Sequence, residues 1–185
     1  MSSVQPSPQL IRTVRFIDGI TDFIGNVVAW LIIPLVGAVA YEVISRYLFH
    51  QPTTWSFDVT YMLYGTLFML AAAYALHKGA HIRTDFLWDK FSVRTKGLID
   101  TLAYILFFFP GLLLFLYSSW DEAWQAFLLN ERSDITAWRP LLWPFKAVVP
   151  LTAVLLMFQG VSELLKSLYA LRTGIELEHK EKVEV

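Results

Sequence analysis

The chain contains no cysteine. Disulfides, thiolate metal sites and cysteine nucleophiles are therefore excluded. Charge is also scarce. Asp, Glu, Lys and Arg make up 17% of the 185 residues, against about 25% in an ordinary soluble domain. There is no basic excess, since the formal net charge is -1, so no nucleic-acid partner is expected. What is present instead is apolar and aromatic. Hydrophobic residues form 56% of the chain, and Phe, Trp and Tyr alone form 16%. The few charges fall in short clusters between long uncharged stretches, which is the layout of an all-α, polytopic membrane protein.

Four stretches are long enough to cross a hydrocarbon core of about 30 Å, which takes about 20 helical residues. They are expected near Phe23–Leu48, Trp55–Leu76, Leu98–Tyr117 and Phe145–Leu168. The first begins close to Ile20 and ends in Glu42 and Arg46. It is too long for a signal-peptide core and has no small-residue cleavage site, so it reads as a retained span. Leu10, Val14, Ile17 and Ile20 or Thr21 recur at helical spacing and predict a short interfacial helix ahead of it. The expected organisation is an N-terminal tail and interfacial helix over 1–22, a four-span membrane domain over 23–168, and a cytoplasmic tail over 169–185.

Prolines and caps punctuate this pattern. Pro34 and Pro110 lie within spans and should kink them or loosen their hydrogen bonds. Gln51-Pro52-Thr53-Thr54 separates the first two spans, which makes them a helical hairpin, with Thr54 as the expected N-cap. Ser92 is placed to cap the turn before span 3, and Pro144 sits at the first turn of span 4. Gly25 with Ala29, and Gly65 with Ala71, Ala72 and Ala75, mark smooth helix surfaces for close packing.

Orientation follows from the basic residues. One side of the membrane would hold Arg12, Arg15, Lys78, Arg83, Lys90, Arg94, Lys96, Lys166, Arg172, Lys180 and Lys182. The other would hold Arg132, Arg139 and Lys146, with Arg46 at the boundary. The positive-inside rule then places both termini in the cytoplasm. The longest loop lies outside and carries Trp120, Trp124, Trp138 and Trp143 with Asp121, Glu122, Glu131 and Asp134. The indoles fit an aromatic belt, and the acids fit a solvated loop or a docking surface.

No catalytic residue is expected, and no charged residue is expected deep in spans 2, 3 or 4. A proton or ion relay would need one there. Glu42 and Arg46, four apart, can pair along one helix face. Asp58 falls in the first turn of span 2, where the helix dipole favours a carboxylate, and the hairpin is expected to bring it near Arg46. After span 2 the chain reads HKGAHIRTDFLW from His77. His77, His81 and Asp85 have metal-ligand spacing only if the helix runs unbroken, and Gly79 argues against that. A haem between spans needs histidines inside the bilayer, and this pattern has no such facing pair. The other reading is mechanical. Phe86, Leu87, Trp88 and Phe91 enter the interface, Lys78, Arg83 and Lys90 meet lipid phosphates, and Asp85 caps a following helix. No cofactor or metal is expected.

The run from Ser45 to Trp88 resembles the small integral-membrane subunit of tripartite ATP-independent periplasmic (TRAP) transporters. That family shows Arg-Tyr ending the first span, then Pro and Trp in the turn, then an acidic residue. A Gly-x-His-[Ile/Val]-Arg-x-Asp run follows span 2. The matching residues are Arg46, Tyr47, Pro52, Trp55, Asp58, Gly79, His81, Arg83 and Asp85. The family often has Glu where Asp58 stands, one methylene longer. The resemblance implies a four-span subunit of the bacterial inner membrane with cytoplasmic termini. Its implied partners are a large elevator-type permease subunit, which holds the substrate and sodium sites, and a periplasmic substrate-binding protein. The implied role is a fixed scaffold in sodium-coupled organic acid uptake. The branch with the closest wording is associated with 2-oxo acids or other monocarboxylates. Glu42, Arg46, Tyr47, Pro52, Trp55 and Asp58 become candidates for partner contact or structure, and His81, Arg83, Asp85 and Trp88 for lipid headgroups. The alternative from another class is a membrane anchor of a respiratory enzyme, and a third is an assembly protein with no transport role.

Overall fold

The computed structural model describes residues 6–79 and 91–177. Within them the chain is helical, with one isolated β-bridge between Arg132 and Leu141 as the extended pairing. Four helical rods have the length and apolarity of membrane spans: Pro8–Tyr47, Ser56–His77, Val93–Leu128 and Trp143–Thr173. The first is made of α1 (Pro8–Ala29) and α2 (Ile32–Tyr47). The second is α3 (Ser56–His77). The third joins α4 (Val93–Ala103) to α5 (Phe109–Leu128) through a π-helical turn, Tyr104–Phe108. The fourth is α6 (Trp143–Thr173). The chain is thus an all-α, multi-pass membrane protein.

Three of the rods outrun the apolar stretches that define them. The third has 36 residues and the fourth 31, about 54 Å and 46 Å at 1.5 Å per residue. The flanking polar residues are good helix formers, so the helix continues into water until a breaker arrives. Gly174, at φ 72°, ends α6, and its N–H bonds Ala170 O at 2.8 Å. At the other extreme α1 runs unbroken across Asp22 and Phe23, so the predicted interfacial helix and the first span share one rod.

Prolines act one turn upstream of themselves. Pro34 has no N–H for the carbonyl of Trp30, and the helix breaks at Trp30 and Leu31 into tighter bonds. Leu31 N reaches Val28 O at 2.9 Å, and Ile33 N takes Trp30 O at 3.2 Å. Pro110 likewise leaves Leu106 O without its normal donor. The π-turn just before it absorbs the fault, with Phe109 N bonded to Tyr104 O. Ser7 and Ser92 cap α1 and α4 through N–H bonds from Leu10 and Thr95, each 3.3 Å. Thr54 does not cap α3. The residue before that helix is Trp55, and Thr53 Oγ1 takes the Ser56 N–H at 3.3 Å.

The rods pack as an open row. Span 4 lies between spans 2 and 3, and span 1 packs on span 2, with α1 alone also reaching α6. Its second half, α2, leans chiefly on α3 and has Ala38 as its one buried residue. Glycines set the closest approaches. Gly25 receives the ring of Tyr74, Gly65 that of Phe145, and Gly160 that of Phe108. Gly25 and Gly65 are therefore used within this chain, whereas Ala29 is exposed. At Gly97 the neighbour is backbone. A Cβ there would stand 2.6 Å from Leu171 N and 2.8 Å from Ser167 O. Gly97→Ala should therefore force α4 away from α6 and destabilise the fold by about 1–3 kcal/mol. Gly111→Ala, with open space around it, should not. Thermal unfolding of the detergent-solubilised variants compares the two.

Candidate functional site

Two polar constellations hold the rods together, one at each end. At the loop end, Glu42 binds the hairpin. Its Oε1 accepts from Arg46 Nε at 2.9 Å and from an Arg46 terminal nitrogen at 2.5 Å, and its Oε2 accepts from Thr53 N at 3.0 Å and from Thr53 Oγ1. The expected Glu42–Arg46 pair is present and also ties down the turn that follows. Tyr47 and Pro52 are exposed, and Trp55 packs its ring 5.6 Å from that of Tyr41.

Asp58 does something the hairpin geometry did not suggest. It does not bridge to Arg46. Only 1% exposed, it accepts the hydroxyls of Ser133, at 2.7 Å, and Thr136. Both belong to the loop between α5 and α6, so the first turn of α3 anchors that loop. The loop is also closed on itself. Ser133 N bonds Pro140 O and Leu142 N bonds Glu131 O, each at 2.9 Å. Asn130 and Arg139 take positive φ at its corners. Its acids are largely spent internally. Lys146 contacts Glu131 at 2.7 Å and Glu122 at 3.2 Å, Arg139 contacts Asp134 at 2.5 Å, and Gln125 donates to Asp121 at 2.9 Å. The loop is thus an ordered clasp whose acids stay at its surface, with the side chain of Asp134 84% exposed and that of Glu122 70%.

The second constellation lies at the other end, where α1 crosses α3 and α6. Asp18 of α1 is buried and faces Lys166 Nζ at 2.7 Å. Its Oδ1 accepts from Ser162 Oγ at 2.8 Å and from the Gln159 amide at 2.9 Å. Glu163 faces Lys166 at 3.3 Å. His77, the last residue of α3, places Nδ1 3.4 Å from Asp18 and Nε2 3.5 Å from Asp22. Lys78 pairs with Asp22 at 2.8 Å. That hydrogen bond holds the Lys78 ammonium above its ordinary pKa, against a smaller opposing effect of desolvation. Thr21 donates to Gln159 Oε1 at 2.7 Å, which turns the amide nitrogen toward the carboxylates.

Asp18, His77 and Glu163 offer ligand atoms within 4.8 Å of one another, a set that suits a divalent cation. The chain fills that space with its own donors. Gln159 Nε2 stands 2.9 Å from Asp18 Oδ1 and 3.3 Å from both His77 Nδ1 and Glu163 Oε1. Lys166 neutralises the same two carboxylates. The arrangement is a three-helix lock.

Charged residues within the fourth span were overlooked in the sequence because Glu163 and Lys166 sit near its end and look solvated. The signal is there. Gln159, Ser162, Glu163, Lys166 and Ser167 recur at helical spacing on a mainly apolar helix, and all are buried. The stripe faces inward, so the helix is amphipathic toward the protein. His81, Arg83, Asp85 and Trp88 lie outside the described residues. Lys166→Met should strand two buried carboxylates and destabilise by about 3–5 kcal/mol, more than Lys166→Arg. Chemical unfolding of the purified variants measures the difference.

The four apolar helical rods agree with what comparison with known proteins finds. Over 151 residues, 80% of its length, the chain is 25% identical to the sialic acid TRAP transporter permease protein SiaT of Haemophilus influenzae. It spans 23% of that protein. Residues 35–169 match the family of tripartite ATP-independent periplasmic transporters, DctQ component. That match takes in most of α2, then α3, α4, α5, the clasped loop and nearly all of α6, and on it the chain belongs to the DctQ component family of TRAP transporters, as a membrane transport subunit and not an enzyme.

Proposed function

We propose that this chain is the stationary membrane subunit of a sodium-driven, binding-protein-dependent transporter for an organic acid. Its partners are then a large elevator-type permease subunit and a periplasmic substrate-binding protein. The observation that carries this reading is the use made of the buried charges. Asp18, Glu163 and Lys166 are fixed on one another across α1 and α6, with His77 of α3 beside them. Groups so committed brace helices and have no site to offer a moving ion. The open row fits as well, because it leaves broad faces for a larger partner. SiaT is named for sialic acid, itself a monocarboxylic acid. At 25% identity the class of cargo is taken from it and not the sugar. Among the described residues nothing favours the respiratory-anchor alternative, since His50 lies in the turn after α2 and His77 at the far end of α3.

Both termini face the cytoplasm of a bacterial inner membrane in this proposal. Support comes from the basic residues gathered at the end that holds Pro8, His77, Val93 and Thr173. The chain has no cysteine of its own, so single introduced thiols report cleanly. An impermeant maleimide should label Asn130→Cys in intact spheroplasts and Ser7→Cys only after lysis.

The functional test is uptake of a radiolabelled organic acid into sodium-gradient liposomes. Uptake should need this chain, the large subunit and the binding protein together. Asp58→Ala, which frees Ser133 and Thr136 of the loop clasp, and Arg46→Ala, which loosens the hairpin, should lower complex yield and uptake rate. Neither should change the order in which acids are preferred. Transport by this chain alone, or a switch of preference, would refute the proposal.

A further inference from the structure

The exposed residues of α3 are Phe57, Tyr61, Tyr64 and Phe68. All are aromatic, and their spacing of four, three and four places them on one arc of about 60°. The other sides of α3 are taken by α1, α2 and α6. Tyr64 is 59% exposed and Phe68 64%. The ring of Tyr61 rests against Phe145, centroids 5.1 Å apart, and that of Tyr64 stacks on Phe68 at 6.4 Å.

Depth decides what can cover this stripe. Ser56 opens α3 at the level of the Glu42 and Asp58 clusters, which mark the water boundary. Tyr64 comes eight residues later in that helix, about 12 Å down the axis and near the middle of a core of about 30 Å. A tyrosine facing lipid belongs at the boundary, where its hydroxyl meets water or headgroups. Acyl chains at mid-depth offer no acceptor. The Tyr64 hydroxyl has no hydrogen-bonding partner among the described residues. In SiaT the stretch matching this chain is part of one much longer permease polypeptide, so the natural occupant of an uncovered face is more protein.

We infer that the Phe57–Tyr61–Tyr64–Phe68 stripe of α3 is the seat of a helix of the large permease subunit, and that this helix supplies a hydrogen-bond acceptor to Tyr64. The inference rests on the proposed function and specifies which face of the subunit is used. The acceptor is a Ser, Thr or Asn side chain or a carbonyl released by a helix break, the groups that bond between helices in lipid. Aromatic rings on either side shield the bond and fix the register of the two helices.

The test uses the two membrane subunits co-expressed, with the tag on this chain. Benzoylphenylalanine replacing Tyr64 should photocrosslink to the large subunit in membranes. Tyr64→Phe keeps the ring and removes one oxygen, and should shorten the lifetime of the purified complex about threefold, the effect of a typical interhelical hydrogen bond in a membrane. A complex that purifies intact while position 64 crosslinks to lipid or to a second copy of this chain would overturn the inference and leave the proposed function standing. So would a lifetime unchanged by Tyr64→Phe. Failure to recover any large subunit would overturn both.

Discussion

Inside a membrane a polar group that finds no partner in the protein finds none at all, and that constraint organises this chain. It carries few charges, yet several are buried, and the buried charges meet polar partners within the protein. Asp18 of α1 meets Lys166, Gln159 and Ser162 of α6. Asp58 of α3 meets Ser133 and Thr136 of the loop. These contacts join segments more than 70 residues apart in sequence. Hydrophobic attraction cannot join them, since lipid tails are as apolar as leucine. Close glycine packing and polar ties remain, and the fold uses both.

The ties also explain the shape. An open row of spans buries little of each rod, and most of α2 remains uncovered. Such a row would slide or splay if packing alone held it. The lock at one end pins α1, α3 and α6. The clasp at the other pins α3 to the loop entering α6. These ties hold the row together and leave its outer faces uncovered.

Much of this was legible in the residues. Hydropathy located all four spans, and Pro34 and Pro110 marked where the first and third rods falter, though the faults appear one turn upstream of the rings. Ser92 and the Glu42–Arg46 pair behave as their positions dictate. The position of Asp58 at the start of a span is legible in the sequence, but its partners are not, because Ser133 and Thr136 are common loop residues with nothing local to distinguish them. Thr53 replaces Thr54 at the start of α3 because the chain is held there by Glu42, an interaction eleven residues long in sequence.

Sequence by itself determined the class of the protein, the number of its spans and the pairing of the first two into a hairpin, because those follow from local apolarity and chain length. It also carried the motif that marks the family. Tertiary structure alone decided which polar residues are solvated and which are buried. Glu163 and Lys166 look like an ordinary charged helix end until α1 crosses over them, and the exposed stripe on α3 is apparent only once α1, α2 and α6 have covered its other sides. Burial is a property of neighbours, and in this chain the neighbours come from far away.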